Sequence, residues 1–595
     1  MIVCLFKFNM FNLKYRLTNQ SVFFIITLFS TQPFLGVIKM SFSSKVVSSL
    51  EKCFLTSDIN EFTELTEEKI FKNQKYSFQL FTHFEEGWQI AVKPVIEGDL
   101  ADYITVREVV NIPSELPTYP NCSDMPKVHE PGLYPDLLRP LKYRGALRLL
   151  PKQSRALWFD IDPKGEITGE HTVKIKLLKV GVTSKGLNPT EEVAAEHELK
   201  IDIKDVALPE QSLIFTQWFY ADCLADYYKV DVFSDRHFEI CENFARTAVE
   251  NGRNMLMLPL LTYALDTHWG GERTTVQLID VYKDGDSYTF GYKNLDRWLD
   301  MCNRIGVKYY EVSPFFSQWG ADSTPKVVAY ENGEKKTIFG WGTNPVSDEY
   351  NTFIRAFISG FLGHMKARGE DKKCWFHISD EPITEHLEQY KTVRNSIYDL
   401  LQDYNMMDAI SHYEFYEMGL IKTPVPKTIG IEPFLEHNVP DLWCYYCGGQ
   451  CEGVSNCHFA MPLARVRSLG MQMYKYSIKG FLHWGYNYYN NQFSYDRLDP
   501  FASSDGECFA ASGDTYMVYP APDGTAWEST RLRALYEAME DMRAMQLAET
   551  VCGKAAVVKA IENICGEIKF NNCVQDGDTM LKIRRTVNDM IFDNI

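Results

Sequence analysis

The hydrophobic and polar positions divide the chain into two regions with different periods. From about residue 50 to 208, apolar and polar residues alternate, as in QSRALWFDIDPKGEITGEHTVKIKLLKV and EHELKIDIKDVAL. A period of two places the apolar side chains on one face of a strand. Short alternating strands separated by turn signals predict a β-sandwich for this region.

Beyond residue 210, buried strand-like runs alternate with segments of helical period, such as RHFEICENFARTAVENG and NLDRWLDMCNRIG. The strand-like runs are, in order, LIFTQWF, NMLMLPL, VKYYEVS, CWFHIS, DAISHYEF, a run near KTIGI, DLWCYY and GFLHWGY. Strands that alternate with helices predict parallel βαβ units. Eight such units predict a (β/α)8 barrel of the TIM type.

These patterns define four segments of the chain. Residues 40–208 are predicted to form the β-sandwich as an accessory domain, 209–548 the barrel, and 549–595 a small helical C-terminal extension. Residues 1–39 contain the apolar run VFFIITLFSTQPFLGVI, preceded by scattered basic residues. We interpret 1–39 as an extension outside the fold, either a signal-like or anchoring segment or an upstream artefact.

The composition narrows the class of partner and compartment. A net charge of -18 and the lack of Lys/Arg runs argue against a nucleic-acid partner or an anionic membrane surface. The 15 cysteines are odd in number and scattered, unlike the disulfide framework of a small secreted domain. They indicate buried thiols in a reducing compartment. We therefore expect a cytoplasmic protein, with secretion as the alternative if residues 1–39 act as a signal.

Four cysteines and a histidine form the pattern C-x2-C-x3-C-x5-C-H. They are Cys444, Cys447, Cys451, Cys457 and His458. Thiolates and imidazole bind zinc, but the usual paired-knuckle spacing is missing. We interpret the cysteines as buried free thiols and expect neither a metal nor a cofactor.

Two adjacent carboxylates, Asp380 and Glu381, follow the apolar run in CWFHISDEPITEH. Pro382 disfavours helical geometry at the preceding residue, so we expect an extended chain through Glu381 and a helix that begins at Pro382. Active sites of barrels lie at the C-terminal ends of the strands, which is where this pair falls. The alternative is a pair of charges that only stabilises the N-terminus of the helix.

Two close carboxylates titrate differently, because the charge on one raises the pKa of the other. One can act as a general acid while its neighbour stays ionised, which is the division of labour that glycoside hydrolysis needs. Ordinary retaining glycosidases place their two carboxyls on opposite sides of the sugar. Sequence neighbours approach from one side, which fits substrate-assisted catalysis on 2-acetamido sugars.

Six motifs in order resemble glycoside hydrolase family 123 and its close relatives, which are β-N-acetylgalactosaminidases with a β-sandwich and a barrel. The motifs are VSPFFSQWGA, IFGWGTNPVSDEY, WFHISDEP, LWCYYC, GFLHWGYNYY and GDTYMVYPAPDGTAWESTRLRALYEAMEDM. They lie within residues 310–545, and residues 150–310 resemble the family more loosely. The ending MEDMRAMQ departs from the family pattern and leaves the subfamily, and hence the preferred sugar, open.

The resemblance implies roles for three residues. Asp380 would orient the substrate's acetamido group and stabilise the oxazolinium intermediate. Glu381 would act as the acid and then as the base. Tyr445, flanked by Trp443 and Cys447, would bind the acetamido group.

Further candidates for sugar binding lie near the predicted ends of the other barrel strands. Trp484 and Asn487 follow the last strand, His377 lies on the strand of the pair, and Gln318 and Trp319 end the third strand. The remaining candidates are Trp269 in THWGG, Tyr413 at the end of strand five, and Trp443.

The sequence thus predicts an exo-acting, retaining β-N-acetylgalactosaminidase that needs no cofactor. Its substrates would be terminal β-linked N-acetylgalactosamine on glycans or glycolipids. The alternatives are a β-hexosaminidase of other specificity, a conventional glycosidase in which Glu311 or Glu432 is the nucleophile, and a non-catalytic carbohydrate-binding protein. The sequence does not predict the oligomeric state.

Overall fold

The computed structural model describes residues 42–120, 122 and 130–594. The predicted extension 1–39 lies outside the described residues. The strands are β1 Phe42–Ser48, β2 Glu67–Phe71, β3 Tyr76–Phe84, β4 Ile90–Glu97, β5 Ile104–Ser114, β6 Gly132–Pro140, β7 Leu147–Leu149, β8 Gln153–Ile161, β9 Gly169–Thr183, β10 Gly186–Lys204, β11 Ile214–Gln217, β12 Met255–Leu258, β13 Asp280–Asp284, β14 Ser287–Gly291, β15 Tyr309–Val312, β16 Val327–Glu331, β17 Glu334–Phe339, β18 Cys374–Phe376, β19 Asn405–Asp408, β20 Thr423–Pro424, β21 Trp443–Tyr445, β22 Gly480–His483, β23 Val518–Pro520 and β24 Ala526–Ser529.

The α-helices are α1 Ala221–Tyr228, α2 Asp235–Glu250, α3 Lys293–Ile305, α4 Asp348–Arg368, α5 Leu387–Leu401, α6 Tyr413–Glu417, α7 Glu432–Glu436, α8 Leu463–Arg467, α9 Leu469–Lys475, α10 Thr530–Cys552, α11 Lys554–Cys565 and α12 Gly577–Phe592. Among the described residues, none of these helices is both long and apolar enough to cross a bilayer.

The N-terminal region is mostly sheet, as its alternating pattern predicts. One sheet has the order β1-β3-β8-β5-β6-β24-β23 and the other the order β2-β10-β9-β4-β7. Alternate residues of facing strands, such as Phe78 and Leu80 of β3 and Ile175 and Leu177 of β9, share one buried core. The two sheets therefore pack face to face through the apolar side of the period-two pattern.

The larger sheet takes two of its strands from the far end of the chain. β23 and β24 lie within residues 209–548, the segment assigned to the barrel, yet β24 pairs antiparallel with β6. Asp136 of β6 also accepts hydrogen bonds from the Arg531 Nε (2.8 Å) and from the Tyr519 hydroxyl (2.6 Å). These contacts join the sandwich to the segment that follows the barrel strands.

Eight strands form a nearly closed parallel barrel in the order β20-β19-β18-β15-β12-β11-β22-β21. The two ends of this sheet meet through a single parallel bridge between Lys427 and Tyr445. Helices of the described chain alternate with most of these strands. The long loops after β12 and β15 carry a separate sheet of order β14-β13-β16-β17.

The fifth and sixth barrel strands differ from the prediction. β19 ends at Asp408, and Tyr413, predicted to end this strand, begins helix α6, whose Phe415 packs edge-on against Tyr390 at 5.3 Å. The sixth strand is not at KTIGI but earlier, at Thr423–Pro424. Proline has no backbone N–H to donate, so Pro424 and Pro426 keep this strand short.

The buried ion pair between Asp136 and Arg531 yields a stability prediction. Replacing Asp136 by Ala leaves the guanidinium of Arg531, which is 0% exposed, without its counter-charge. We expect the free energy of unfolding in urea to fall by about 3–5 kcal/mol.

The matched control is Glu97→Gln, which removes an exposed ion pair with Lys176 (2.8 Å). This change should leave the free energy of unfolding almost unchanged, because exposed ion pairs contribute little to stability. Equal losses in the two variants would contradict the structural importance of the buried pair.

Candidate active site

The backbone at the Asp380–Glu381 pair is a turn and not an extended strand. β18 ends at Phe376, and Glu381 has a left-handed conformation with φ of +46°. The helix does not begin at Pro382; a 3-10 turn at Thr384–His386 comes first, and α5 begins at Leu387. Proline excludes the right-handed helical region for Glu381, and the chain here takes the left-handed alternative. Such strained residues persist only where their surroundings hold them.

The two neighbouring carboxylates have different partners. Asp380 is 3% exposed, and its Oδ2 accepts a hydrogen bond from the Gln318 Nε2 at 2.6 Å. Glu381 accepts a hydrogen bond from the Tyr445 hydroxyl, and its Oε1 lies 3.7 Å from the Lys427 Nζ. The pair is therefore held between the loop after β15 on one side and the β20–β21 junction on the other.

The pKa of Asp380 differs from the value that its expected role as an ionised carboxylate requires. Burial, and then the negative charges of Glu381 and Asp266, raise the pKa of Asp380 well above its ordinary value. The raised pKa favours the neutral form of Asp380 in the free protein, whereas the role expected of this residue needs its ionised form. A hydrogen bond from Gln318 opposes this shift but does not cancel it.

A buried charge network lies beneath the pair. The His377 Nε2 is 2.8 Å from Glu311 and its Nδ1 is 3.2 Å from Asp408. Burial by itself lowers the pKa of His377, but the hydrogen bonds to Asp408 and Glu311 outweigh it and raise the pKa to about 10. His377 is therefore a buried cation between two carboxylates of adjacent strands, and it does not face the pocket.

The structure brings several other predicted residues to the pair. The backbone N–H of Trp319 donates to the backbone carbonyl of Asp380 at 2.9 Å, next to the contact made by Gln318. Trp269 is 64% exposed and packs against Trp341 at 5.5 Å. A cleft of about 300 Å³ beside Gln318 is lined by Trp269, Trp319, Trp341, Phe493 and Tyr495. Aromatic rings at such a cleft suit the faces of sugar rings.

Three predicted residues do not reach the pocket. Asn487 is fully buried, and its amide is used by the backbone of Tyr220, with the N–H at 2.9 Å and the carbonyl at 3.0 Å. Trp443 is buried against Trp375, with ring centroids 4.9 Å apart. Tyr413 stacks on His437 at 4.5 Å. The contacts of Asn487 and Trp443 are structural, because both side chains are buried, whereas Tyr413 is partly exposed.

Trp484 is mostly buried but lies at the same end of the barrel as the pair. It is 9% exposed, and its Nε1 donates to the Asp514 Oδ2 at 3.0 Å. The ring packs against Tyr488 at 5.1 Å. Its loop follows β22 at the same end of the barrel as the pair, so it remains a candidate for sugar binding.

Sequence reasoning missed Lys427 and Asp266. Lys427 follows β20 and forms the isolated bridge to Tyr445, and this closure of the barrel, which brings it to Glu381, has no signal in the local sequence. Asp266 lies in the irregular loop after β12 and influences the pKa of Asp380. The only local signal was its place three residues before Trp269.

The cysteine cluster is also different from the prediction. Cys451 forms a disulfide with Cys122, so it is not a free thiol. Cys444 and Cys457 are buried and free, and Cys447 is partly exposed. Within the described ranges, no three His, Cys, Asp or Glu side chains are grouped so that they could hold a metal ion.

Comparisons with known proteins decide the family. The model of the glycoside hydrolase 123 catalytic domain matches residues 218–548, more than half of the chain. The chain belongs to glycoside hydrolase family 123. The resemblance seen in the six sequence motifs is thereby confirmed, and the protein is a family 123 glycoside hydrolase with a carbohydrate substrate.

One solved structure, that of another family 123 enzyme, supports the fold. A family 123 glycoside hydrolase from Clostridium perfringens, whose structure concerns glycolipid glycan hydrolysis, matches with a TM-score of 0.68 at 12% identity, over 93% of this chain and 98% of that one. A β-glucuronidase from Bifidobacterium dentium matches with a TM-score of 0.30 at 9% identity, over 84% of this chain and 66% of that one. The comparison with curated proteins returns no match.

The raised pKa of Asp380 predicts a gain in stability when its charge is removed. A carboxyl whose pKa is higher in the folded than in the unfolded protein loses stability as the pH rises above about 4. Asp380→Asn should therefore unfold at a higher temperature than the wild type at pH 7. The difference should shrink towards zero as the pH approaches 4.

The control is Asp399→Asn on the exposed side of α5. A hydrogen bond from Arg355 holds the pKa of Asp399 below its usual value, so this variant should be no more stable than the wild type at pH 7. An Asp380→Asn variant that is less stable than the wild type at pH 7 would contradict the electrostatic account.

Proposed function

We propose that the protein is a retaining exo-β-N-acetylgalactosaminidase that uses the acetamido group of its substrate as the nucleophile. The observation that carries the proposal is the Asp380–Glu381 pair, adjacent in the chain but anchored at Asp380 by the loop after β15 and at Glu381 by β21. As neighbours in the chain, both carboxylates would approach the sugar from the same side. This arrangement suits one residue that binds the acetamido group and another that serves the glycosidic oxygen.

The positions of the other candidate nucleophiles support this mechanism over ordinary retention. Glu311 is 0% exposed and accepts hydrogen bonds from the Trp218 Nε1 (2.8 Å) and from Thr216, besides its contact with His377. Glu432 is exposed at the start of the short helix α7. A nucleophile must be free to reach the anomeric carbon on the face opposite the acid, and Glu311 does not meet that condition because it is buried and engaged by three side chains.

Substrate binding would shift the proton of the pair from Asp380 to Glu381, the proposed general acid. The N–H of a bound acetamido group donates to Asp380, and a hydrogen bond to the ionised form lowers the pKa of that carboxyl. The proton then favours Glu381, which becomes the acid. After the leaving group departs, ionised Asp380 balances the positive oxazolinium, and Glu381 takes a proton from the incoming water.

The remaining candidates have supporting roles in this proposal. The resemblance assigns Tyr445 to the acetamido group, and its hydroxyl lies at Glu381, next to the expected site of the scissile bond. Trp484, Trp319 and Trp269 would offer ring surfaces to the sugar and to its leaving group. Gln318 would fix the direction of the Asp380 carboxylate.

Membership of family 123 supports the proposed sugar and the proposed barrel topology. The preference for N-acetylgalactosamine rests on the family resemblance, and the Clostridium perfringens relative is described by glycolipid glycan hydrolysis. We therefore propose terminal β-linked N-acetylgalactosamine on glycans or glycolipids as the substrate. We also propose that the eight parallel strands and their helices form a (β/α)8 barrel with the sandwich as an accessory domain.

A pair of variants tests the two roles. Glu381→Gln should lower kcat/KM by about 10²- to 10⁴-fold on a substrate with a sugar leaving group, because the general acid is lost. The loss should be much smaller with a 2,4-dinitrophenyl leaving group, which departs without protonation. Asp380→Asn should reduce turnover of both substrates, because the oxazolinium loses its counter-charge.

The control variant is Glu432→Gln, which should keep wild-type kinetics on both substrates. Full activity of Glu381→Gln and Asp380→Asn would refute the proposed mechanism. Sugar binding without turnover in the wild type would instead support a non-catalytic carbohydrate-binding protein.

A substrate panel tests the sugar and the nucleophile in one experiment. We expect hydrolysis of the 4-nitrophenyl 2-acetamido-2-deoxy-β-galactoside and none of the plain β-galactoside, because the latter lacks the internal nucleophile. Rates are measured by release of 4-nitrophenol. Turnover of the plain β-galactoside would contradict substrate assistance, and preference for the gluco epimer would identify a β-hexosaminidase of other specificity.

A further inference from the structure

A third carboxylate, Asp266, is fixed beside the catalytic pair. Its backbone N–H donates to the Gln318 Oε1 at 2.8 Å, and its carbonyl accepts from the hydroxyls of Tyr488 (3.1 Å) and Ser494 (2.8 Å). Its φ is +47°, in the left-handed region that residues other than glycine seldom adopt. The surrounding loops thus hold the residue in an unusual conformation, which is typical of residues with a functional task.

Gln318 places Asp266 close to Asp380. The same side-chain amide that accepts from the Asp266 N–H donates its own N–H to the Asp380 Oδ2 at 2.6 Å. One amide group therefore spans the gap between the two residues. The electrostatics agree, because the charge on Asp266 raises the pKa of Asp380, and the charge on Glu381 raises that of Asp266.

The carboxylate of Asp266 can accept more hydrogen bonds than the described residues donate to it. Its Oδ2 accepts from the Tyr220 hydroxyl at 3.1 Å, and no described residue donates to its Oδ1. The nearby Arg273 is engaged by Asp222, with the Nε at 2.8 Å from the Oδ2. The side chain is partly exposed. An ionised carboxylate can accept about four hydrogen bonds, so this one lacks donors.

The charge on Asp266 is unfavourable in the protein by itself. Burial is the main cause, together with the negative charges of Glu381 and Asp514, and the pKa of Asp266 rises to about 6 although Arg273 and Tyr220 oppose the shift. Hydroxyl donors from a ligand would relieve this deficit, since hydrogen bonds to the ionised form favour it. Sugar hydroxyls are donors of this kind.

We propose that Asp266 binds a hydroxyl on the C3–C4 edge of the terminal sugar and thereby contributes to the choice of sugar. The inference rests on the proposed function, which places the C1 oxygen at Glu381 and the C2 acetamido group at Asp380. Gln318 joins Asp380 to Asp266, whereas Glu381 is held by different residues, Tyr445 and Lys427. The ring positions beyond C2 therefore point towards Asp266.

The test measures coupling between Asp266 and individual hydroxyls of the substrate. Wild type, Asp266→Asn and Asp266→Ala are assayed on the 4-nitrophenyl 2-acetamido-β-galactoside and on its 3-deoxy, 4-deoxy and 6-deoxy analogues. On the parent substrate we expect Asp266→Ala to lower kcat/KM by about 10- to 100-fold, the range of a hydrogen bond to a charged group. On the 3-deoxy or the 4-deoxy analogue the same variant should lose much less.

The control is Asp226→Asn on helix α1, whose carboxylate pairs with the Arg497 Nε at 2.9 Å. Its effect should be the same on the parent and on every deoxy analogue. Asp266→Asn should also unfold no earlier than the wild type at pH 7, since it removes a charge that is unfavourable in the folded state. A merely structural role for Asp266 would give no dependence on the hydroxyl removed.

The outcomes separate this inference from the proposed function. If the wild type hydrolyses the parent substrate but the losses from Asp266→Ala are equal on all four substrates, the inference is wrong and the proposed function stands. Coupling to the 6-hydroxyl alone would also overturn the placement at the C3–C4 edge. If the wild type hydrolyses no acetamido sugar, the proposed function fails and the inference fails with it.

Discussion

A positively charged histidine buried between two carboxylates is the interaction on which the candidate active-site region depends. His377 contacts Glu311 of β15 and Asp408 of β19, and Glu311 is held in turn by Thr216 of β11. Asp408 also accepts from the Ile378 N–H at 3.0 Å. A buried charge without its partners is very costly, so this network specifies the register of neighbouring barrel strands. The turn that carries Asp380 begins directly above it.

The pocket above this network concentrates negative charge that the fold does not compensate. Asp380, Glu381 and Asp266 lie together, and the cation nearest to Glu381 that we find is the partly exposed Lys427 at 3.7 Å. Burial and mutual repulsion raise the pKa values of Asp380 and Asp266. Active sites commonly carry such unfavourable arrangements, because the groups are placed for the ligand and not for the free protein. A substrate with an amide N–H and several hydroxyls would stabilise these carboxylates by donating hydrogen bonds to them.

Sequence patterns predicted those parts of the structure that local periodicity encodes. The buried runs predicted most barrel strands, and the structure places Asp380 shortly after the end of β18, where the candidate site was predicted. Long-range contacts account for the errors: Asn487 is bound by the backbone of Tyr220, and Cys451 is paired with Cys122. The left-handed turn at Glu381 was missed because a residue before proline has two permitted regions, and only the tertiary contacts choose between them. Asp266 lies in an irregular loop and Lys427 follows a two-residue strand, and neither position has a periodic signal.

The most direct test of substrate assistance is inhibition by the thiazoline analogue of 2-acetamido-2-deoxygalactose, a stable mimic of the oxazolinium intermediate. The account predicts competitive inhibition of the wild type with an inhibition constant well below KM for the aryl glycoside. Binding should weaken strongly in Asp380→Asn, because the carboxylate that faces the ring nitrogen is gone. An active wild-type enzyme that the thiazoline does not inhibit would contradict the central claim, since its intermediate could not have the bicyclic form.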